Sequence, residues 1–434
     1  MQTLSKSAPA DQSAKAAVLS AVVVVAALGY FVDIYDLILF SVVRVESLKT
    51  LGIMDKLALK TQGEYLIQMQ MGGMLLGGIL WGVLGDRRGR LSVLFGSILL
   101  YSLANLANAW VQTLEQYAWL RLIAGIGLAG ELGAGITLVS ESLPKEKRGL
   151  GTMVVATVGV SGAMLAYWVG SRADWHLLGL TARWRNAYLV GGVLGLALLS
   201  LRASVFESGM FQKTKASAVG RGNFLSLFTS ADRLGRYGRC LLIGVPLWFV
   251  VGILITFAPE FSEALGVRVP AGEPPISAGL AVFWSYFGLV FGDFLSGTLS
   301  QLLRSRKRAL QLFLGLCALA VGGYLYGLRG VSPTVFYGGC FGLGVSVGFW
   351  ALFVTVAAEQ FGTNLRATVA TTAPNFARGA VVLLVPAFRW AEAHLGGRLS
   401  GAAALGALAL AAALWAASTL PETFGKELDY DEGR

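Results

Sequence analysis

Apolar segments long enough to cross a lipid bilayer recur along the chain, from Ala16 to Leu420. Many run for about 18 residues or more, the length that a helix needs to span the hydrocarbon core. Only 14% of the residues are charged, whereas a soluble domain carries about 25%. Continuous runs also exclude a transmembrane β-barrel, whose strands are short and alternating. The sequence therefore predicts an all-α membrane protein that crosses the bilayer many times.

Twelve spans can be delimited, six in each half of the chain. A polar stretch rich in Ser, Gly and Lys separates the halves. We predict an N-terminal six-helix bundle over 1–203, a cytoplasmic linker loop over 204–238, and a C-terminal six-helix bundle with a short cytoplasmic tail over 239–434. The predicted spans are 17–43, 63–85, 91–110, 117–140, 149–171, 184–203, 239–260, 277–302, 309–328, 334–358, 368–391 and 400–420.

The two halves carry the same landmarks at a nearly constant offset. The loop after the second span begins at Gly82, and its counterpart after the eighth begins at Gly297, 215 residues later. A Glu-to-Arg spacing of seven follows the fourth span from Glu141 and the tenth from Glu359, with an offset of 218. The glutamate pair Glu207 and Glu422 is again 215 residues apart. This repetition predicts two parallel bundles related by an internal repeat around a central path.

The net charge of +10 is a topology signal. Lys and Arg are about twice as frequent at the predicted inner segments as at the outer ones, which places both termini in the cytoplasm. Positive-inside anchoring explains most of these side chains individually, so no nucleic-acid partner is implied. The first apolar run is too long for a signal peptide, and we read it as a retained helix. An integral protein of a bacterial inner (plasma) membrane is predicted.

Residues that commonly serve catalysis or metal binding form no cluster in the sequence. The three cysteines have no CxxC spacing, and the two histidines, His176 and His394, stand alone in predicted outer loops. No nucleotide loop or nucleophile–base constellation is present either. We therefore predict no enzyme activity, no cofactor and no metal.

Four ionisable side chains lie inside the first-half spans, where each costs about 2.5–3.5 kcal/mol at the helix centre. Asp33 and Asp36 share one face of the first helix with Tyr30, because residues three apart are helix neighbours. Arg121 and Glu131 lie in the fourth span. Depth along the two helices predicts an Asp36–Arg121 pair and places Asp33 near the level of Glu131. A static pair that staples the two helices is the alternative reading.

Burial disfavours the charged form of a carboxyl group, whereas a nearby arginine favours it. Glu131 has no cation close by in sequence, so it is the leading candidate for the coupling proton. Asp36 and Asp33 are further proton-coupling candidates. Arg121 and Tyr30 are assigned to substrate binding.

In the second half, Asn375 and Arg378 share one face of the eleventh span, with Arg378 near the bilayer midplane. A buried guanidinium offers forked donors to a carboxylate or phosphate, so an anionic substrate is predicted. The alternative is that Arg378 caps a helix broken near Pro374. Asp293, towards the inner end of the eighth span, and Trp350 are weaker site candidates, and Asp293 could equally serve a gate.

Charged residues also recur in the inner loops. Acidic members at matching positions suggest clusters that hold the inner side closed and separate on rocking. Exposed ion pairs are worth only about 0–1 kcal/mol each, which suits a releasable latch. The predicted inner gate comprises Gly82, Asp86, Arg87, Arg90, Glu141, Arg148, Glu359 and Arg366.

The loop GVLGDRRGR, from Gly82 to Arg90, resembles the loop 2–3 signature G-x-L-x-D-R-x-G-R of the major facilitator superfamily. The stretch Arg121–Gly149 and the LPETFG motif at 420–425 resemble sugar porters and their relatives. AGELGAG at 129–135 resembles the metabolite:proton symporters, and DIYDL at 33–37 resembles the phosphate:proton symporters. The resemblance covers nearly the whole chain and implies the twelve-helix fold and alternating access.

The departures from these relatives narrow the substrate. Helix seven lacks the glutamine-rich pattern of sugar porters, and Glu131-Leu132 stands where phosphate symporters have Asp-Tyr. Arg378 is similar to the arginine that aromatic-acid symporters carry in this helix. The fifth helix has no proline, unlike the drug exporters, which favours uptake.

The sequence therefore predicts a secondary transporter that takes up a small organic anion with protons, as a monomer in the bilayer. A sugar or neutral metabolite transporter, a phosphate symporter and an exporter remain open, and a non-transporting sensor is the least favoured reading.

Overall fold

The structure is a computed structural model that describes residues 9–88, 90–131, 148–172, 177–207 and 224–425. It describes side chains for all of these except residues 9–22, 83, 85–88, 90–91, 148–153, 204–207, 363–364 and 367. The described residues are helical apart from short connections and contain no β-strand. Nine helical stretches among them are long and apolar enough to cross a membrane. The all-α prediction is confirmed.

Each predicted span corresponds to helix wherever the structure describes it. In chain order the spans are Pro9–Thr50 (span 1), Lys56–Arg88 (span 2), Arg90–Asn108 (span 3), Leu114–Leu128 (span 4), Arg148–Val160 with Gly162–Ser171 (span 5), Arg183–Glu207 (span 6), Ala231–Phe249 with the π-helix Val250–Ile255 and Ala258–Leu265 (span 7), Ala278–Leu302 (span 8), Arg306–Gly322 with the π-helix Gly323–Gly327 (span 9), Pro333–Ser346 with Trp350–Glu359 (span 10), Thr363–Gly379 with Val381–His394 (span 11) and Arg398–Thr419 (span 12).

The connection between the halves is more helical than the sequence predicts. Span 6 continues to Glu207 and span 7 already begins at Ala231, so helix occupies both ends of the predicted linker 204–238. A short 3₁₀ helix, Phe224–Phe228, precedes span 7. The helices thus extend past the ends of the apolar runs, because backbone hydrogen bonding does not depend on apolar side chains.

Local capping explains where several spans begin. The Thr113 hydroxyl group accepts a hydrogen bond from the backbone N–H of Gln116, and the side-chain oxygen of Gln116 accepts one from the backbone N–H of Thr113. Together they form a capping box before span 4. Ser277 and Ser305 cap spans 8 and 9 with their side chains. Pro333 occupies the first turn of span 10, where its missing N–H costs nothing.

Glycines let neighbouring helices approach until their backbones touch. A side chain at Gly125 of span 4 would collide with the carbonyl of Gln70, and one at Gly73 of span 2 would collide with the carbonyl of Leu122. Such close approach replaces hydrophobic driving force as the source of cohesion between membrane helices. The two halves of the chain meet mainly along spans 2 and 11 and along spans 5 and 8.

Spans 7, 10 and 11 are interrupted near the centre, and span 11 is divided at Ala380. Span 7 passes through its π-helix shortly after Pro246. Span 10 breaks between Ser346 and Trp350, where Gly348 lies directly against Gly292 of span 8. A side chain on either glycine would collide with the backbone of the other, so only glycine permits this crossing. Irregular backbone at membrane depth is tolerated where protein surrounds it, and these breaks border the site described next.

Candidate functional site

A buried arginine of span 11 faces span 1 across the interface between the halves. Arg378 and Asp33 are both fully buried, and Nη2 of the arginine lies 3.5 Å from the nearer carboxylate oxygen. None of the three guanidinium nitrogens and neither oxygen of Asp33 has a hydrogen-bond partner among the residues that the structure describes. The pair therefore attracts across the interface without closing the hydrogen bonds that a structural ion pair normally makes.

Two tryptophans flank the guanidinium of Arg378. Its central carbon lies 5.9 Å from the ring of Trp248 and 5.5 Å from the ring of Trp350. The two rings meet edge to face, with centroids 6.1 Å apart. Trp350 begins the second helix of span 10, so the break in that span delivers it to this position. The result is an aromatic wall around one buried cation.

Tyr30 lies one helical turn before Asp33 and completes this side of the site. Its hydroxyl group is within electrostatic reach of Asp33 and Arg378 and lies close to the indole of Trp350. Gly159 of span 5 makes room for the phenol ring, because a side chain there would collide with it. The structure thus brings together the predicted residues from spans 1, 10 and 11.

Asp293, in span 8, lies against the break of span 10, and the gate role considered for it stays a prediction. Its side chain is 2% exposed, and Oδ1 accepts a hydrogen bond from the backbone N–H of Ala351 at 3.2 Å. It also lies within electrostatic reach of the Tyr30 hydroxyl group. The aspartate is therefore part of the wall of the central site.

Asn375 is buried one turn before Arg378, but its amide nitrogen is already engaged. It donates to the carbonyl oxygen of Ala129 in the other half at 2.6 Å and to that of Thr371 at 3.0 Å. Only Oδ1 lacks a partner within the described part of the chain. Asn375 therefore joins the halves beside the site and leaves one acceptor for a ligand.

The predicted direct pair between Asp36 and Arg121 is wrong. No ion pair within 4 Å joins these two described residues; instead, Nη2 of Arg121 donates to Oδ1 of Asn105 at 2.7 Å. The guanidinium also packs over the ring of Tyr188, 4.6 Å from its centroid. Asn105, from span 3, has its amide group towards Asp36. A polar neighbour and an aromatic face therefore occupy Arg121 in place of a direct ion pair with Asp36.

Glu131 has no cation close by in sequence, but the fold brings one beside it. Arg202 of span 6 donates two hydrogen bonds to its carboxylate, one of them 3.0 Å long from Nη1 to Oε2. Both side chains are about 1–2% exposed. Gly29 of span 1 lies against the pair, and a side chain there would collide with both partners. Arg202 falls inside the predicted span 184–203, and this position was the signal in the sequence for a buried cation.

The structure describes the side chains of only some residues of the predicted inner gate. Glu141 lies outside the described residues, as do the side chains of Asp86, Arg87, Arg90 and Arg148.

The described members of that gate make contacts of three kinds. Gly82 of span 2 lies against Thr372 of span 11, a contact between the halves. Glu359 pairs within its own half, with Arg306 at 3.6 Å and with the hydroxyl group of Thr423 at 2.7 Å. Arg366 donates to the nearby carbonyl of Phe361. Glu359 thus has partners within its own half, whereas the charged first-half side chains of the predicted gate lie outside the described residues, so the gate stays a prediction.

Ion pairs between the halves lie at the opposite end of the bundle, where span 1 ends at Thr50, which we call the Thr50 end. The sequence does not predict these ion pairs. Their partners come from spans 1 and 2 on one side and from spans 7 and 11 on the other. The pairs are Arg44–Glu260 at 2.7 Å, Lys56–Glu263 at 2.9 Å, Lys60–Glu392 and Glu64–Arg389. In the predicted topology, this end faces outwards.

Residues 26–386 match the family model of the Major Facilitator Superfamily. The chain is 25% identical to the niacin transporter NiaP of Acinetobacter baylyi, over 70% of this chain and 73% of that protein. It is 28% identical to the 3-(3-hydroxy-phenyl)propionate transporter of Escherichia coli, over 74% and 76%. The probable 4-methylmuconolactone transporter of Cupriavidus pinatubonensis is 26% identical over 92% and 89%.

A solved structure of the proton:xylose symporter XylE superposes with a TM-score of 0.70 at 17% identity, covering 95% of this chain and 98% of that one. The predicted twelve-helix fold is therefore confirmed, and so is the prediction of a membrane transporter rather than an enzyme. The chain belongs to the major facilitator superfamily.

Proposed function

We propose that the protein takes up a small aromatic carboxylate together with a proton, by alternating access around Arg378. The observation that carries this proposal is the guanidinium itself. It is fully buried at the interface of the halves, 3.5 Å from Asp33, and all of its nitrogens lack a hydrogen-bond partner among the described residues. A buried charged group left without hydrogen bonds is costly, so a ligand that supplies acceptors at this place is strongly favoured.

The surroundings of Arg378 select the ligand class. A guanidinium presents parallel N–H donors that match both oxygens of a carboxylate. Trp248 and Trp350 border the same place and offer flat apolar faces for a ring. Relatives named as niacin and 3-(3-hydroxy-phenyl)propionate transporters support this class, because each solute combines an aromatic ring with a carboxyl group.

Asp33 is the proton site that the geometry favours most. It is the acidic partner of Arg378, so a substrate carboxylate competes with it for the same guanidinium. When the substrate occupies Arg378, Asp33 loses its counter-charge and binds a proton, since an unpaired buried carboxylate is unfavourable. Asp36 and Glu131 remain candidates, but Glu131 has a stable partner in Arg202.

Alternating access follows from where the halves touch. The cross-half ion pairs hold the Thr50 end together, while the Arg378–Asp33 contact spans the same interface at the centre. Ligand binding at the centre and opening at the Thr50 end therefore act on one interface. With both termini in the cytoplasm, the Thr50 end is the entrance for uptake.

Uptake of labelled benzoate or nicotinate into proteoliposomes under an inward proton gradient tests the substrate class. We expect accumulation that a protonophore abolishes and that unlabelled aromatic acids inhibit, with xylose and phosphate as non-inhibiting controls. Arg378→Ala should lose binding by about 10- to 150-fold, the weight of one or two charged hydrogen bonds. Arg329→Ala, which removes an exposed arginine between spans 9 and 10, is the matched control. Xylose inhibition without inhibition by any carboxylate would overturn the proposal.

A second experiment separates the three proton candidates. Asp33→Asn, Asp36→Asn and Glu131→Gln are compared in proton-driven uptake and in counterflow exchange, which needs no net proton movement. The variant that lacks the coupling carboxylate should lose driven accumulation and keep exchange. We expect this result for Asp33→Asn, and intact driven uptake in that variant would exclude Asp33.

A further inference from the structure

Asp293 is held at the break of span 10 by one of its two carboxylate oxygens. Oδ1 accepts the Ala351 backbone N–H at 3.2 Å, at the start of the ten-residue helix Trp350–Glu359. The glycine contact between Gly292 and Gly348 brings spans 8 and 10 close enough for this bond. The aspartate therefore caps a half-helix whose first residue, Trp350, borders the Arg378 site.

The second carboxylate oxygen of Asp293, Oδ2, makes no capping hydrogen bond in the described half-helix. Oδ2 of Asp293 has no hydrogen-bond partner among the residues that the structure describes, although the side chain is only 2% exposed. Asparagine would cap the half-helix about as well as aspartate without burying a second charged oxygen. An unsatisfied buried acceptor costs about 1–3 kcal/mol, so the free oxygen calls for a donor that the described part of the chain does not supply.

The position of Asp293 indicates where that donor comes from. The Tyr30 hydroxyl group is within electrostatic reach of both Asp293 and Arg378. No ion pair within 4 Å joins Asp293 to Arg378, both of which lie in the described ranges. Asp293 holds the backbone of Ala351, which follows Trp350, and the ring of Trp350 lies 5.5 Å from the central guanidinium carbon of Arg378. The two groups thus border one site at separate places.

A helix N-terminus carries a partial positive charge that favours an anion beside it, so the half-helix favours the ionised, hydrogen-bond-accepting form of Asp293. We propose that Oδ2 of Asp293 accepts a hydrogen bond from a hydroxyl or N–H group on the substrate ring, away from the carboxylate that Arg378 binds. This selectivity rests on the proposed function, because it needs a carboxylate at Arg378.

The test compares ligands that differ only in the group offered to Asp293. Binding of benzoate, 3- and 4-hydroxybenzoate, their methoxy counterparts, and the pyridine acids nicotinate and isonicotinate is measured on purified protein. A hydroxyl group donates, a methoxy group only accepts, and a pyridine nitrogen only accepts. We expect one hydroxybenzoate to bind about tenfold or more tighter than benzoate, the weight of a hydrogen bond to a charged group. Its methoxy counterpart should lose that advantage.

Asp293→Asn changes the acceptor while keeping the cap. Its Oδ1 can still accept from Ala351, but its amide nitrogen now donates towards the site. The hydroxyl advantage should fall about tenfold, one pyridine acid should gain, and benzoate should bind within about threefold of the wild-type protein. Equal ligand preferences in both proteins would overturn the inference, and so would a uniform loss for all ligands, which marks a damaged cap.

The outcomes distinguish the two proposals. If no aromatic carboxylate binds the wild-type protein, the proposed function fails and this inference with it. If carboxylates bind and Arg378→Ala abolishes their binding, yet hydroxy and methoxy acids bind alike, only the inference about Asp293 fails. The hydroxy–methoxy comparison uses the wild-type protein, so it decides the matter even if Asp293→Asn does not fold.

Discussion

Two arginine–carboxylate pairs lie at similar burial inside the membrane region but differ in how they are built. Arg202 and Glu131 belong to the same half and are joined by two hydrogen bonds. Arg378 and Asp33 belong to different halves and approach only to 3.5 Å, with no hydrogen bond between them. The side chains of all four residues are at most about 2% exposed.

This difference separates a structural pair from a binding site. Removing two charges from water is expensive, and the cost is recovered only when the hydrogen bonds are complete. Arg202 and Glu131 meet that condition, so they fix spans 4 and 6 relative to each other. Arg378 and Asp33 do not, which leaves donors and acceptors for a solute and a proton.

The largest predicted effect is on the free energy of unfolding, at the Arg202–Glu131 pair. Arg202→Ala leaves Glu131 buried and unpaired, and we expect a loss of about 3–5 kcal/mol in the free energy of unfolding. Denaturant unfolding in detergent measures this quantity. The matched control is the double variant Arg202→Met/Glu131→Leu, which removes both charges and should recover most of the loss. A single variant as stable as the wild-type protein would contradict the structural reading of this pair.

The next largest effect is on substrate affinity, at the Arg378–Asp33 pair. Arg378→Lys keeps a positive charge for Asp33 but loses the forked donors, so affinity for an aromatic carboxylate should fall about 10- to 100-fold. The free energy of unfolding should change by less than about 1 kcal/mol, because no hydrogen bond between the partners is lost. Binding and unfolding are measured on the same preparation. A large loss of stability with unchanged affinity would reverse the roles of the two pairs.

A smaller effect is expected at the Thr50 end. Lys56 and Glu263 approach to 2.9 Å, closer than Arg378 and Asp33, but their side chains are 84% and 64% exposed. Such pairs are worth about 0–1 kcal/mol and weaken with salt. Lys56→Met should therefore change the free energy of unfolding by less than about 1 kcal/mol, with Lys49→Met as the control. A loss comparable with that of Arg202→Ala would show that distance, rather than burial, sets the strength.

The sequence predicts the depth of these residues well but not their partners. The helical rise of about 1.5 Å per residue places Asp33 and Arg378 at comparable levels, and the structure brings them together. The same argument paired Asp36 with Arg121, because depth says nothing about which helix lies beside which. Asn105 of span 3 takes that place, and its presence depends on helix packing and rotation.

The remaining misses have related causes. Arg202 lies near the end of an apolar run, where anchoring arginines are expected, and only the folded structure brings it beside Glu131. The break of span 10 is invisible in a continuous apolar sequence without proline at that point. It depends on the contact between Gly348 and Gly292, which are far apart in the chain.

The smallest expected effect concerns Glu422, a carboxylate outside the membrane that is held by hydrogen bonds instead of an ion pair. Burial alone raises the pKa of Glu422, but hydrogen bonds from the Ser305 hydroxyl group and from the backbone N–H groups of Phe424, Arg306 and Lys307 outweigh it. The pKa therefore lies below its ordinary value. These bonds also place a negative charge at the beginning of span 9, where the helix dipole favours it.

A depressed pKa means that the ionised form stabilises the fold. This contribution is fully present above the unfolded pKa of about 4.3 and is lost as the pH falls through the lower folded value. Because Glu422 is only partly buried, we expect only a few tenths of a kcal/mol after solvent screening. Glu422→Gln should remove the pH dependence in this window and leave the free energy of unfolding above pH 6 slightly lower. Glu273→Gln, which removes an exposed carboxylate from the connection before span 8, is the control, and an equal change of the pH response in both variants would show that the hydrogen bonds at Glu422 carry no charge preference.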